Sequence, residues 1–201
     1  MVADGIYYAV ALAGGGALLG WLKGPLWAAP LWLAAAFCLY FFRDPERQVP
    51  PGDVAVSPAD GKVVAVRAVD PSQARISIFM NIFDVHVNRA PIGGRIAAVE
   101  YRKGRFLAAN GERASQENEQ NTVRIEAAGT QVTFKQIAGL IARRIVFYKR
   151  PGELVRCGER VGLIKFGSRV DVFLGPEWDV QVRPGERVRA GSSVLARRRG
   201  E

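Results

Sequence analysis

Histidine occurs once in the 201 residues and cysteine twice, so the chain is short of the side chains that most often do metal and redox chemistry. Cys38 lies in an apolar N-terminal stretch and Cys157 far away in the polar remainder, which excludes a disulfide framework. With one imidazole and no Cys-x-x-Cys pair, zinc and other transition metals lack nitrogen and sulfur ligands. Carboxylate-bound magnesium or calcium needs an Asp-rich loop of set spacing, and the sequence has none. No metal is expected. Charge is scarce too, but only locally: residues 1–42 contain just Asp4 and Lys23, so the whole net charge of +9 belongs to residues 43–201. Apolar residues make up 49% of the chain, which supports a packed core and excludes wholesale disorder. A basic globular part behind an uncharged leader points to an anionic surface as partner. The leader favours lipid over nucleic acid, for which no basic-aromatic motif is present.

Within the leader, residues 6–22 and 26–42 are two uncharged apolar runs of 17 residues, separated by Lys23-Gly24-Pro25, a turn between helices. Residues 1–42 therefore read as a membrane-associating helical hairpin. Each run would extend roughly 25 Å at about 1.5 Å per residue, a little short of the approximately 30 Å hydrocarbon core. Spanning with local thinning and dipping into one leaflet both stay open. Trp21, Trp27, Trp32, Tyr40, Phe41 and Phe42 supply interfacial aromatics, and Arg43 and Arg47 follow as cytoplasmic-side anchors. That arrangement implies the inner cell membrane, with residues 43–201 on its cytoplasmic side. A secretory signal requires a positive start, and Asp4 stands there instead. A lipoprotein cysteine requires a small residue before it, and Phe37 precedes Cys38. A buried hairpin in a soluble core is the remaining alternative.

Beyond Asp44-Pro45-Glu46 and Pro50-Pro51-Gly52, period-two patterns dominate and long amphipathic helical patterns are scarce. The fold class is mainly β (α+β), a β-sandwich or barrel-like domain over residues 43–201 behind the N-terminal helical hairpin. Strands are predicted at 54–56, 61–69, 75–81, 85–87, 95–103, 122–126, 131–137, 160–165, 169–174 and 178–182. Residues 139–146 fit a helical turn or a strand. Gly158-Glu159-Arg160-Val161 recurs as Gly185-Glu186-Arg187-Val188, too few copies for a solenoid.

Three short stretches could carry chemistry. A strand through Asp84-Val85-His86-Val87-Asn88 puts Val85 and Val87 on one face and Asp84, His86 and Asn88 on the other. His86 is the only imidazole able to shuttle protons near neutral pH, and a solvent-facing histidine beside an acid is the plainer reading of the same strand. Ser57-Pro58-Ala59-Asp60-Gly61-Lys62 reads as a hairpin turn between two Val-rich strands. Phe166-Gly167-Ser168-Arg169 interrupts an otherwise continuous β pattern from Val161 to Leu174, where glycine marks a bulge or a close backbone approach. A Gly-x-Ser-x-Gly nucleophile elbow is absent.

In order and together, these stretches resemble the phosphatidylserine decarboxylase family in its short form. The likeness covers nearly the whole chain: Phe42-Arg43-Asp44-Pro45-Glu46-Arg47, Ser57 to Lys62, Asn81 to Pro91, Glu117-Asn118-Glu119-Gln120-Asn121, Ile137 to Arg144 and Gly158 to Leu174. The resemblance implies a proenzyme that cuts itself between Gly167 and Ser168, giving a large chain (1–167) and a small chain (168–201) of 34 residues. In that scheme the Ser168 hydroxyl attacks the Gly167 carbonyl and the amide becomes an ester. β-Elimination then leaves a dehydroalanine, which hydrolyses to a pyruvoyl group and ammonia. Ser168, His86 and Asp60 are the implied catalytic residues: His86 takes the hydroxyl proton and Asp60 holds its tautomer. The implied cofactor is the covalent pyruvate derived from Ser168. Its ketone would form a Schiff base with phosphatidylserine and accept the electrons left when carbon dioxide departs, yielding phosphatidylethanolamine. His86 would then protonate the α-carbon.

The implied partners are an anionic phospholipid substrate and the membrane, with the two chains of one precursor staying associated; a homo-oligomer is compatible with this. Arg43, Arg47, Arg143, Arg144 and Arg197-Arg198-Arg199 are candidates for contact with anionic lipid, at about 1 kcal/mol per basic residue near the surface. After the cleavage glycine the longer family members read Ser-Thr, whereas this chain reads Ser168-Arg169. Two rivals remain at this point: a non-enzymatic membrane-tethered β module, and a membrane-bound serine hydrolase using Asp60, His86 and Ser168 on an external ester.

Overall fold

A computed structural model describes residues 2–109, 111–140, 144–165 and 167–199. The chain divides into two compact units, Met1–Glu46 and Arg47–Glu201. The first is a hairpin of α1 (Ala3–Lys23) and α2 (Pro25–Phe41). The helices close tightly because small residues face large ones: a methyl group on Gly16 would lie 2.7 Å from the Trp32 ring. The Val2 amide donates to the Phe42 carbonyl at 3.1 Å and ties the open end. Leu18, Trp21, Leu22, Leu26, Trp27 and Leu33 are left exposed, an apolar surface compatible with membrane association. Helix α1 is longer than the uncharged run within it, since Asp4 joins its first turn and Lys23 its last, each opposite in sign to the nearby end of the helix dipole. With 21 residues it is long and apolar enough to cross a membrane, whereas α2 has 17 residues.

The second unit is mainly β. Its described strands are β1 (Val54–Val56), β2 (Gly61–Asp70), β3 (Gln73–Met80), β4 (Val87–Arg89), β5 (Gly94–Arg102), β6 (Gln120–Ala127), β7 (Thr130–Ile137), β8 (Arg144–Phe147), β9 (Leu154–Val155), β10 (Arg160–Lys165), β11 (Ser168–Leu174), β12 (Trp178–Val180), β13 (Arg187–Val188) and β14 (Val194–Arg198). A short helix, α3 (Glu112–Glu117), lies between β5 and β6. A curled eight-stranded sheet in the order β13-β2-β3-β11-β7-β6-β5-β9 forms a half-barrel, beside two three-stranded sheets, β1-β14-β12 and β4-β10-β8. Ile76, Ile78, Val123, Ile125, Val132, Phe134, Val170 and Val172 are fully buried and fill the core of this unit. Burial of this apolar surface, at roughly 25 cal/mol per Å², is the main stabilising term.

Several sequence expectations change here. Residues 57–60 are not a hairpin turn: β1 pairs with β14 while β2 pairs with β3 and β13, so this segment carries the chain from one sheet to another. The pattern from Val161 to Leu174 is not one interrupted strand either. β10 and β11 belong to different sheets, and Gly167 stands at the corner between them. Within 139–146, residues 141–143 lie outside the described residues, and Arg144–Phe147 is strand β8, paired with β10. Both Gly-Glu-Arg-Val copies build the same feature, a positive-φ glycine (Gly158, Gly185) leading into a strand whose valine is buried.

Candidate active site

The strand expected at 85–87 starts only at Val87, as β4, which leaves His86 just before it, and the histidine is 2% exposed rather than solvent-facing. A compact turn puts it there. The Asn81 amide donates to Asp84 Oδ2 at 2.9 Å, the Phe83 amide donates to Asn81 Oδ1 at 2.7 Å, and Arg187 holds Asp84 Oδ1. His86 then anchors to β10 through its own carbonyl, which accepts the Ile164 amide at 3.2 Å. A buried amide chain fixes β4 over the large sheet. Asn121 Nδ2 donates to Gln136 Oε1 at 3.0 Å, and Gln136 Nε2 donates to Asn88 Oδ1 at 2.9 Å. All three amides are at most 3% exposed, so each hydrogen bond shields a group that would be costly to leave unpaired.

The imidazole meets the corner at Gly167. His86 Nδ1 lies 2.9 Å from the Asp84 carbonyl oxygen, so Nδ1 carries the proton and Nε2 is the acceptor. That acceptor receives the Gly167 amide at 3.2 Å. Gly167 has φ +56°, a left-handed conformation that any side chain would strain. The next residue, Ser168, is fully buried, and its hydroxyl lies 3.3 Å from the Met80 thioether directly across the β11–β3 ladder. His86, Gly167 and Ser168, separated by more than eighty positions, are thus brought together.

Asp60 lies near Asp84, whose carbonyl holds His86, and has partners of its own. Its Oδ1 accepts the Ala190 amide at 2.8 Å, and its Oδ2 accepts Arg47 Nη2 at 2.8 Å. Burial pushes the Asp60 carboxyl above the usual range and nearby Asp84 adds to this, against the pull of Ala190 and Arg47. The expected tautomer-setting role falls geometrically to the Asp84 main-chain carbonyl, which holds Nδ1. Arg47 is spent on Asp60, with 13% of its side chain exposed, rather than standing free as a surface charge. Of the other expected lipid contacts, Arg198 donates to the Gly129 carbonyl at 3.1 Å and Arg43 stacks on Tyr40, while Arg143 lies outside the described residues.

The composition pattern carried no sign of two further residues. A methyl group at Gly139 would sit 2.1 Å from the Gly167 carbonyl oxygen, so the missing side chain makes the slot that this oxygen occupies. Asn118 pins the residue before Gly139, donating to the carbonyls of Ala138 at 2.7 Å and Leu107 at 2.9 Å and accepting the Leu107 amide at 2.9 Å. Their only sequence signal was membership of the motifs at 117–121 and 137–144.

Comparison with known proteins fits this arrangement. The sequence model of the family described as phosphatidylserine decarboxylase matches residues 34–196. The chain belongs to the phosphatidylserine decarboxylase family. It is 64% identical over 198 residues to the phosphatidylserine decarboxylase proenzyme of Solibacter usitatus (strain Ellin6076), covering 98% of this chain and 97% of that one. It is 45% identical over 179 residues to the protein of the same name from Magnetococcus marinus (strain ATCC BAA-1437 / JCM 17883 / MC-1), covering 85% of this chain and 82% of the relative.

Proposed function

We propose that this chain is a phosphatidylserine decarboxylase proenzyme that cuts itself between Gly167 and Ser168. The observation carrying the proposal is the corner itself: Gly167 at φ +56°, its amide 3.2 Å from His86 Nε2, its carbonyl oxygen in the Gly139 slot, and a buried serine hydroxyl next in sequence. Attack by Ser168 Oγ on the Gly167 carbonyl carbon forms an ester and frees the Ser168 nitrogen. His86 Nε2 takes the hydroxyl proton after exchanging the Gly167 amide for Oγ, a change of hydrogen-bond partner within one residue. The Asp84 carbonyl keeps the accepting tautomer in place and favours the imidazolium that forms. β-Elimination of the ester and hydrolysis with loss of ammonia complete the cut.

A pyruvoyl group formed at position 168 would supply a ketone for the amine of phosphatidylserine and a sink for the electron pair released with carbon dioxide. The surroundings of Ser168 suit such a group. Its cross-strand neighbour is a thioether, which offers neither a proton to lose nor an amine to condense with the ketone. His86 remains as the proton donor to the carbon that loses carboxylate. The hairpin is read as the membrane anchor, since a diacyl lipid stays in the bilayer and the site must come to its headgroup. Its exposed Trp21, Trp27 and Leu33 support this, as does its 21-residue first helix, with the catalytic unit on the cytoplasmic face of the cell membrane.

Denaturing mass spectrometry of purified full-length protein tests the proposal. Two fragments are expected, 1–167 and 168–201, the smaller blocked by a ketone that reacts with hydroxylamine, together with carbon dioxide release from phosphatidylserine vesicles. An uncut chain bearing a free Ser168 hydroxyl and releasing carbon dioxide would refute the mechanism. Labelling of Ser168 by a fluorophosphonate would favour a serine hydrolase, which the full burial of that hydroxyl disfavours.

A further inference from the structure

A cut before residue 168 turns the first residue of β11 into a chain end, and strand ends open at little cost unless something holds them. Conversion also strips position 168 of the groups that tied it down. The amide nitrogen leaves as ammonia, and the hydroxyl that contacts Met80 is consumed. Yet the reacting carbonyl must keep its place to within a fraction of an ångström for His86 to serve it. The large chain no longer supplies that restraint through a peptide bond.

The neighbouring residue is equipped to supply it. Arg169 is 1% exposed and stands among the largest fully buried side chains of the protein. Its Nε donates to Asp171 Oδ1 at 2.6 Å, its Nη2 to Ser77 Oγ at 2.7 Å, and its Nη1 to the Gly111 carbonyl at 3.3 Å. Nη2 is also 3.9 Å from the Glu112 carboxylate, and Asp171 Oδ2 accepts the Ser115 hydroxyl at 2.7 Å. One guanidinium therefore joins β11 to β3 and to the N-terminal side of α3. Only a planar fork with several donors meets three acceptors at once in this way; a lysine ammonium on a flexible stem meets fewer. A surface strand would not need such an arrangement. Here α3 covers the face of β11 that carries Arg169 and Asp171, while Ser168, Val170 and Val172 face the core.

We infer that Arg169 is a positioning residue for the decarboxylation: it clamps the start of the small chain in register once the peptide bond before residue 168 is gone. This rests on the proposed self-cleavage and extends it, because the clamp matters only in the cut protein. While the bond is intact, covalent continuity through Gly167 and the Met80 contact hold the same segment.

The test uses the full chain in vesicles containing phosphatidylserine. It compares parent, Arg169→Lys and Ser77→Ala, each also made with Ser168→Ala so that it stays uncut. Intact mass reads cleavage, peptide-level hydrogen exchange reads the start of β11, and turnover is split into kcat and KM. Arg169→Lys is expected to cleave, to lose at least tenfold in kcat with KM within threefold of the parent, and to exchange faster at 168–172 in the cut form only. Ser77→Ala is expected to change in the same direction by a few-fold, and it carries the test if Arg169→Lys fails to fold or to cleave. Equal acceleration of exchange in cut and uncut forms would mark a general structural role and overturn the inference, as would unchanged kcat. A parent that remains uncut would fail the self-cleavage proposal itself, before any variant is compared, and the clamp with it.

Discussion

A methyl group on Gly139 would stand 2.1 Å from the Gly167 carbonyl oxygen and 3.1 Å from its carbon, with the Ala109 methyl 3.3 Å away on another side. Carbon–oxygen contacts settle at about 3.3 Å, so Gly139→Ala demands a displacement of roughly 1 Å. Gly139 itself has little freedom to retreat, since Asn118 pins the preceding residue, Ala138, by a hydrogen bond of 2.7 Å. Overpacking of this kind costs about 1–3 kcal/mol where the surroundings are rigid. Its effect on the proposed self-cleavage is larger than on folding, because the atom displaced belongs to the bond proposed to react. A misplacement of about 1 Å can slow a positioned reaction by roughly 10²-fold, equivalent to about 2.7 kcal/mol of barrier. Gly139→Ala is therefore expected to fold, with a melting temperature a few degrees below the parent, and to mature about a hundred times more slowly. The assay is a time course of precursor and fragments by denaturing mass spectrometry after synthesis, with thermal unfolding of the same samples. Gly14→Ala serves as control, since a methyl there meets nothing within 4 Å. Cleavage of Gly139→Ala within twofold of the parent rate would refute the idea that this slot positions the Gly167 carbonyl.

Three more outcomes follow from the same geometry. His86→Ala is expected to slow maturation by at least roughly 10²-fold, the usual contribution of a general base, and normal cleavage and turnover would remove the histidine from both steps. Burial raises the Asp60 carboxyl above its unfolded-state value of about 3.9, so the folded chain holds that proton more tightly. The stability linked to it is complete below the unfolded value and is lost as pH rises through the folded one. Urea unfolding from pH 4 to 7 should accordingly shift in favour of Asp60→Asn relative to the parent as pH rises, and the opposite slope would mean that Arg47 and Ala190 outweigh burial. Leu33→Arg, at a position 72% exposed on the hairpin, should weaken partition into phospholipid vesicles by roughly a hundredfold, from a cost of about 2.5–3.5 kcal/mol per arginine at depth. Unchanged partition would place that face outside the bilayer.

The hairpin and most strands were legible from the sequence because each depends on neighbours in the chain. Two uncharged runs around Lys23-Gly24-Pro25 make helices wherever they are, and alternation in β2, β3, β5 to β7, β10 and β11 marks extended backbone by its own period. Gly167-Ser168 also stood out, as a glycine where a strand pattern has no use for one. Pairing is another matter. Val54–Val56 finds its partner in Val194–Arg198, near the other end of the chain, so residues 57–60 could look like a hairpin turn and yet join two sheets. The two-residue strands β9 and β13 are too short to have a period at all. His86 and Arg169 show the same limit at the site. Alternation says which side chains share a face, but whether that face meets water depends on what packs over it, and here β10, α3 and the amide chain through Gln136 cover both residues. The chemistry-bearing residues were therefore readable one by one from local pattern. That Nε2 of one histidine meets the amide of Gly167, and that a buried arginine secures the residue after it, was decided only when long-range strand pairing closed the sheets.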